Sequence, residues 1–348
     1  MDRRAFLTLS AAALALPAVA VASRAAPSAA QSAASPTAAT SAEKPVPGPL
    51  PVADHHQHLF SPAMARLLDT GAGGPSVTTA KDVIALLDAA GIRRAVLLSV
   101  AYVWGSPSRR IEDELAKVRA ENDFNAEQAA LYPDRLLAFC SVNPLKDYAL
   151  EELERCASLR GLKHGLKLHF GNSDVQLELP EHVARLRDVF AAANAKKMAI
   201  AVHMRASVSK HRPYGAAQAR IFLEQLLPAA PDVTVQVAHL AGTGPGYNDP
   251  PADEALGVLA AAVDAHDRRT KRLWFDVATL ANPEITPEQR EKLAQRIRQI
   301  GAERILFGSD AAAGKNLRPR ESWEAFRQLP LTDKEFAQVA RNLAPYMR

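Results

Sequence analysis

Cysteine is nearly absent: Cys140 and Cys156 are the two in 348 residues. That number excludes a disulfide framework of the kind that holds small secreted domains together. Cys140 sits in an apolar run and reads as a buried small hydrophobe, while Cys156 lies on a predicted helix. A bond between them would need an oxidising compartment, and their spacing does not argue for one. Charge of one sign is equally scarce. Lys and Arg number 42 against 38 Asp and Glu, for a formal net charge of +4, and loss of residues 1–26 with Asp2, Arg3, Arg4 and Arg24 leaves +2. So small an excess gives nucleic-acid binding no support. Beyond the N-terminus no apolar run is long enough to cross a bilayer. No GxGxxG follows the first predicted strand, which removes the main support for an open dinucleotide-binding sheet. The glycine-rich run Gly242 to Gly246 carries Pro245 where a phosphate cradle would want a backbone amide, and it reads as a flexible loop.

What is present falls into three parts. In residues 1–22, Arg3 and Arg4 precede Phe6 and Leu7, and an uncharged apolar run follows from Ala11 to Ala22. This is the pattern of an export signal, and its paired arginines resemble a bacterial twin-arginine (Tat) signal, so a periplasmic location is expected. A plain secretory signal or an uncleaved anchor is the other reading. Residues 23–49 are Ala, Ser, Thr and Pro with little to bury, a disordered linker. Residues 50–348 form the folded part, a length that suits a single α/β barrel.

Within it, apolar strand-like runs alternate with amphipathic helices. Strands are expected at 51–58, 95–100, 136–142, 162–169, 198–203, 233–239, 273–277 and 305–309. Helices of matching length lie between them, including one capped by Thr79 and ended by Gly91, and others at 111–131, 148–158, 181–196 and 286–300. Two last helices, 321–328 and 332–341, are expected to close the barrel's base or side. Eight strands in this alternation predict a (β/α)8 TIM barrel as a single catalytic domain.

The residues with metal-binding chemistry respect the strand ends. His56 and His58 end the first strand, Lys167 and His169 the fourth, His203 the fifth and His239 the sixth, and Asp310 follows the eighth. In a barrel those ends converge on one face. If the first strand alternates regularly, Asp54, His56 and His58 share a face and the two imidazoles form a chelating pair. His55 then points the other way as a packed or hydrogen-bonded histidine. Asp54 is a candidate to orient a ligand, and Arg205 to clamp a substrate carboxylate. Tyr102, Trp104 and Asn143 fall on loops facing the mouth.

Five segments, Asp54-His55-His56-Gln57-His58, Gly165-Leu166-Lys167-Leu168-His169, Val202-His203, Ala238-His239-Leu240-Ala241-Gly242 and Leu306-Phe307-Gly308-Ser309-Asp310, give the chain its likeness to a known family. It resembles the amidohydrolase superfamily, specifically the amidohydrolase-related (amidohydrolase 2) family of metal-dependent TIM-barrel hydrolases, over roughly Pro51 to Met347. The resemblance implies a metal held by His56, His58, His203 and Asp310, with His239 as a base or substrate ligand and Asp310 also catalytic. Three imidazoles and a carboxylate suit one zinc ion, and iron, manganese or cobalt could substitute. In some branches the lysine ending the fourth strand is carbamylated and bridges a second metal. Here one ion is expected, with Lys167 and His169 as substrate-binding or supporting groups. The expected reaction is attack of metal-activated water on an ester, lactone or amide of a small organic substrate. Non-oxidative decarboxylation of a small aromatic or unsaturated acid is the alternative, and a non-catalytic exported metal- or solute-binding protein is a third. No nucleic-acid partner and no membrane contact beyond export are expected, and a homo-oligomer is left open.

Overall fold

The structure, a computed structural model, describes residues 48–69, 76–312 and 316–348. The expected export signal and all but the end of the linker therefore lie outside the described residues. Eight strands follow in chain order: β1 (Ala53–Gln57), β2 (Arg94–Leu98), β3 (Leu136–Ser141), β4 (Gly165–His169), β5 (Ala199–His203), β6 (Val235–Val237), β7 (Leu273–Asp276) and β8 (Ile305–Leu306). Each pairs in parallel with the next, in sheet order β1 to β8. His55 N donates to Phe307 O at 2.9 Å and Asp310 N to His56 O at 2.8 Å, which joins the end of the sheet to its start. The result is the expected (β/α)8 barrel.

The helices are α1 (Pro62–Leu68), α2 (Ala80–Ala90), α3 (Glu114–Ala130), α4 (Ala149–Ser158), α5 (Phe170–Ser173), α6 (Pro180–Ala195), α7 (Ala216–Ile221), α8 (Pro250–Asp264), α9 (Pro287–Ile300), α10 (Pro319–Phe326) and α11 (Asp333–Arg341). Their limits follow local chemistry. Thr79 N donates to Asp82 Oδ2 at 2.8 Å before α2, and Gly91 ends that helix with a left-handed φ of 69°, a conformation that costs glycine little. Thr286 with Gln289 and Thr332 with Glu335 start α9 and α11 in the same way.

Strand parity divides the core in two. Ala95 and Leu97 of β2, Leu166 and Leu168 of β4, and Ile200 and Val202 of β5 pack with residues of the helices such as Leu87, Leu153 and Phe190. The intervening positions, Val96, Leu98, Phe139, Ala199 and Ala201, form a separate cluster inside the barrel with Ala53 and Met347. Gly165 belongs there because a Cβ would overlap the Phe139 ring. The same parity turns Lys167, His169, His203, Gln236 and Asp276 inward.

The chain's last turn fills the barrel's lower end. Tyr346 and Met347 join the interior cluster, Tyr346 stacks edge-on against Phe139 with centroids 5.0 Å apart, and its hydroxyl bonds Gln236 Oε1. Ala344 N donates to His55 Nε2 at 3.2 Å, while His55 Nδ1 donates to Phe307 O at 3.0 Å. Both ring nitrogens are thereby satisfied, so His55 is the packed barrel histidine expected of it. Burial lowers its pKa to about 4, partly offset by its bond to Phe307. The base is thus closed by this terminal turn.

The sequence leaves the state of the two cysteines open. Cys140 of β3 and Cys156 of α4 form a disulfide, with Cα atoms 6.2 Å apart, because strand and helix of one β/α unit pack directly together. Cys140 is buried as expected but is not a free thiol.

Candidate active site

The inward-facing polar side chains gather above the apolar interior, at the C-terminal ends of the strands. β1 delivers the two histidines by an irregularity rather than by strict alternation. Its register to β2 shifts between Asp54 and Gln57, so Asp54 turns to β8 instead of the ligand cluster. Its carboxylate accepts from Ser309 Oγ at 2.6 Å, Ser309 N at 3.1 Å, Gln57 Nε2 at 2.8 Å and His56 N at 3.0 Å. Burial raises its pKa to about 6 against those bonds, Ser309's foremost. Asp54 therefore anchors the segment that carries Asp310, and among the described residues its carboxylate hydrogen-bonds no imidazole, a correction to the shared face read from the sequence.

Three histidines are oriented by what their Nδ1 atoms bond. His56 Nδ1 lies 3.1 Å from Asp276 Oδ2, His58 Nδ1 2.5 Å from Leu98 O and His239 Nδ1 2.9 Å from Ala278 O. Each acceptor holds a proton on Nδ1 and leaves the Nε2 lone pair for the cavity. Burial keeps these rings neutral. It lowers His56 to about 3, with help from Lys167, and takes His58 and His239 below their usual range.

One ligating atom each from His56, His58 and Asp310 lies within 4.8 Å of the others. Asp310 Oδ1 is 3.5 Å from His58 Nε2, and this buried oxygen has no hydrogen-bond partner. A solvent-excluded carboxylate oxygen left unbonded beside two imidazole lone pairs is costly unless a cation fills the gap. The donor set fits a divalent metal ion. Asp310 adopts φ 55° just past β8, and His239, Leu240 and Ala241 have φ of 51°, 46° and 66°. Non-glycine residues rarely take this conformation, and here it turns two functional side chains in from positions beyond their strands.

Other expected groups stand in second place. His203 is not within the tight trio; its ring stacks on His169 at 3.9 Å and 16° and meets His239 edge-on at 5.2 Å. His169 accepts from Asn172 N at 3.1 Å through Nδ1 and starts α5, so its ring both caps a helix and backs His203. Lys167 Nζ, fully buried, is 3.4 Å from His56 Nε2. Burial lowers the lysine's pKa and raises that of Asp310, while the attraction between the two opposes both shifts. Arg205 requires a correction. Its Nε and Nη2 bond the two oxygens of Asp249 at 2.6 and 3.2 Å, and its guanidinium lies 4.7 Å above Tyr214. The fork expected to clamp a substrate carboxylate is occupied.

Asp276 was invisible to the spacing argument and, like Asp54, accepts four hydrogen bonds. Oδ2 accepts from His56 and from Gln236 Nε2 at 2.7 Å, and Oδ1 from the amides of His239 at 2.9 Å and Ala278 at 3.2 Å. Burial pushes its pKa up, but the His56 and His239 contacts outweigh that and hold it far below the usual carboxylate range. A lone acid inside the apolar run Leu273-Trp274-Phe275-Asp276-Val277 is the signal that could have found it.

On the β1 and β2 side of the mouth, Phe60, Tyr102, Trp104 and Met64 form an apolar wall with Val100 and Val103. Phe60 lies 6.5 Å from His58 and Tyr102 4.9 Å from His169, centroid to centroid. Asn143, expected on this rim, is buried and donates to Gly105 O at 2.7 Å, which ties the β2 and β3 loops.

The family model described as amidohydrolase matches residues 53–342. Over 105 residues the chain is 38% identical to the gamma-resorcylate decarboxylase of Rhizobium sp. (strain MTP-10005), a match covering 28% of this chain and 31% of that enzyme. The chain thus spans about a third of the length of the curated relatives it matches. A solved 2,6-dihydroxybenzoate decarboxylase, complexed with 2,6-dihydroxybenzoate, aligns over 84% of this chain and 97% of its own at 19% identity and a TM-score of 0.57. A probable 2-pyrone-4,6-dicarboxylic acid hydrolase from Acinetobacter baumannii aligns over 83% and 95%, at 19% identity and a TM-score of 0.51. At these identities the two structures speak to the shared fold.

Proposed function

This chain belongs to the amidohydrolase family, and from that premise we propose that it is a metal-dependent, non-oxidative decarboxylase of a small aromatic acid. The observation that carries decarboxylation over the hydrolysis expected first is the 38% identity to a gamma-resorcylate decarboxylase. The aromatic wall of Phe60, Tyr102 and Trp104 beside His58 and His169 supports it, since it offers a flat apolar surface to a ring.

His56, His58 and Asp310 would hold the ion, with His203 adjacent through His239 and able to complete the set. Zinc is the first candidate, with manganese, iron and cobalt compatible with the same donors. When bound, the ion supplies positive charge that binds and polarises anionic oxygens of the substrate. The chain's own residues do the rest. Lys167 meets the substrate carboxylate as an ammonium, the part no longer open to Arg205. Asp310, beside the ion's site with one oxygen unbonded, passes a proton taken from the solvent to the ring carbon as the bond to the carboxylate breaks. The electron pair of that bond takes the proton, and carbon dioxide leaves. His239, fixed by Ala278 and Asp276, accepts through Nε2 from a hydroxyl substituent on the ring. The reading takes one ion per chain and an uncarbamylated Lys167; two tightly bound ions on metal analysis would replace it with a bridged pair.

Export to the periplasm through a Tat-like signal belongs to the same proposal, and the Cys140–Cys156 disulfide supports it, because such bonds persist in oxidising compartments. The deciding assay loads the purified chain with each metal and supplies hydroxybenzoates, lactones and esters. Carbon dioxide release, with solvent deuterium incorporated at the vacated ring position, is the expected outcome. Ring opening of lactones without carbon dioxide would return the site to hydrolysis.

A further inference from the structure

The barrel end opposite the site carries a charge that the composition conceals. All eight strands are parallel, so the segments entering them lie on one face. Arg93 precedes β2, Arg160 and Lys163 precede β4, and Lys197 precedes β5; all four are exposed. Arg268, Lys271 and Arg272 lie exposed before β7, on the rim of a cavity of about 670 Å³ floored by Leu227, Pro228 and Leu273. Among the described residues none of these seven side chains makes an ion pair, whereas Arg269, between them, is paired with Asp267 at 2.6 Å. The exposed carboxylates entering strands on this face are Asp134, Asp232 and Glu303.

Helix C-termini also point this way and favour cations, which accounts for Arg160 and Lys197 just beyond α4 and α6. That effect fades within a turn and does not reach Arg268 to Arg272, since α8 ends at Asp264. Seven cations against these three carboxylates leave an excess of four positive charges in the segments entering the strands, as large as the +4 of the whole chain, so the field is polarised along the barrel axis. The chain also enters the barrel here. Leu50 reaches Gly91 at the end of α2, and β1 starts three residues later.

We propose that this basic face docks on an anionic phospholipid surface, with the mouth of the barrel turned away from the bilayer. Cations within a Debye length of such a surface are attracted to it, and the cavity beneath Arg268 and Arg272 can take a headgroup phosphate. The choice of a bilayer over another polyanion rests on the export reading above, because an exported chain meets the anionic headgroups of the bilayer that it crosses.

The test is sedimentation of the full chain with vesicles of phosphatidylcholine alone or mixed with phosphatidylglycerol, at low and high salt. It compares the chain with a triple variant, Arg268→Gln with Lys271→Gln and Arg272→Gln. The N-terminal segment is common to both, so its own partitioning cancels. The anionic vesicles should bind the unaltered chain more tightly, high salt should release it, and the triple variant should lose on the order of 100-fold in partitioning. A control that neutralises Lys81, Arg187 and Arg220, exposed away from this face, should bind as the unaltered chain does, and both variants should keep the circular dichroism of the parent. Equal partitioning of parent and triple variant overturns the proposal, as does tighter retention by single-stranded RNA than by the anionic vesicles. Because the vesicles are assayed in vitro, their outcome is separable from a cell fractionation that tests export itself.

Discussion

Asp276→Asn separates the carboxylate's orienting role from simple packing, because the two side chains are nearly isosteric. Asp276 accepts four bonds, two from backbone amides that cannot move and two from His56 Nδ1 and Gln236 Nε2. An asparagine has one acceptor oxygen, and the amides of His239 and Ala278 claim it. Its NH2 then faces His56, whose ring must shift its proton to Nε2 to accept the bond, and that removes the lone pair offered to the ion. Loss of such a supporting group typically costs 10- to 100-fold in metal affinity, about 1.4–2.7 kcal/mol. The metal-free form should also lose about 1–3 kcal/mol for the donor left unbonded in the core. Chelator competition reads the first and thermal melting of the stripped protein the second. Metal affinity within about twofold of the parent would show that His56 keeps its tautomer without Asp276 and would refute the reasoning.

Three further perturbations follow from the same geometry. Asp310→Asn should lower turnover by roughly 10²- to 10⁴-fold through loss of the proton donor while metal content falls less; an unchanged rate removes Asp310 from the chemistry. Reduction of Cys140–Cys156, or the double alanine variant, should cost about 3 kcal/mol for a bridge across 16 residues, read as a melting temperature lower by several degrees. An unchanged melt after verified reduction contradicts this. Asp253 is held below the usual carboxylate range because Arg296, Lys292 and Tyr247 outweigh its burial, so the folded state binds its proton less readily than the unfolded one. Its stabilisation is then present above about pH 4 and lost as pH falls through the lowered folded value. Asp253→Asn should destabilise at neutral pH by on the order of 1 kcal/mol after solvent screening and flatten the acid limb of the stability curve, which urea melts at stepped pH would detect.

The barrel was legible because buried strands and amphipathic helices alternate along the chain, and because parity in β4 and β5 puts Lys167, His169 and His203 on one side. Parity misled at β1, where a shift in pairing that leaves no mark in the residue types sends Asp54 to Ser309. Spacing could name Arg205 as a cation near the mouth but not its partner Asp249, since a contact 44 residues away is fixed by how loops pack. The pairing of Cys140 with Cys156 was hidden for the same reason. His239 and Asp310 were found by type and place, yet the left-handed backbone that turns them inward is carried by no glycine and so by no signal in the sequence.

The terminal turn that fills the barrel's base has a consequence for the order of synthesis. A nascent chain that has already produced β8 still lacks Ala344 and Tyr346, so His55 Nε2 and Gln236 Oε1 are without these partners and Phe139 is without the Tyr346 ring. The domain cannot reach its final packing until the segment through Tyr346 has left the ribosome. A folding intermediate with all eight strands paired is thus distinguished from the finished barrel by whether this turn has docked.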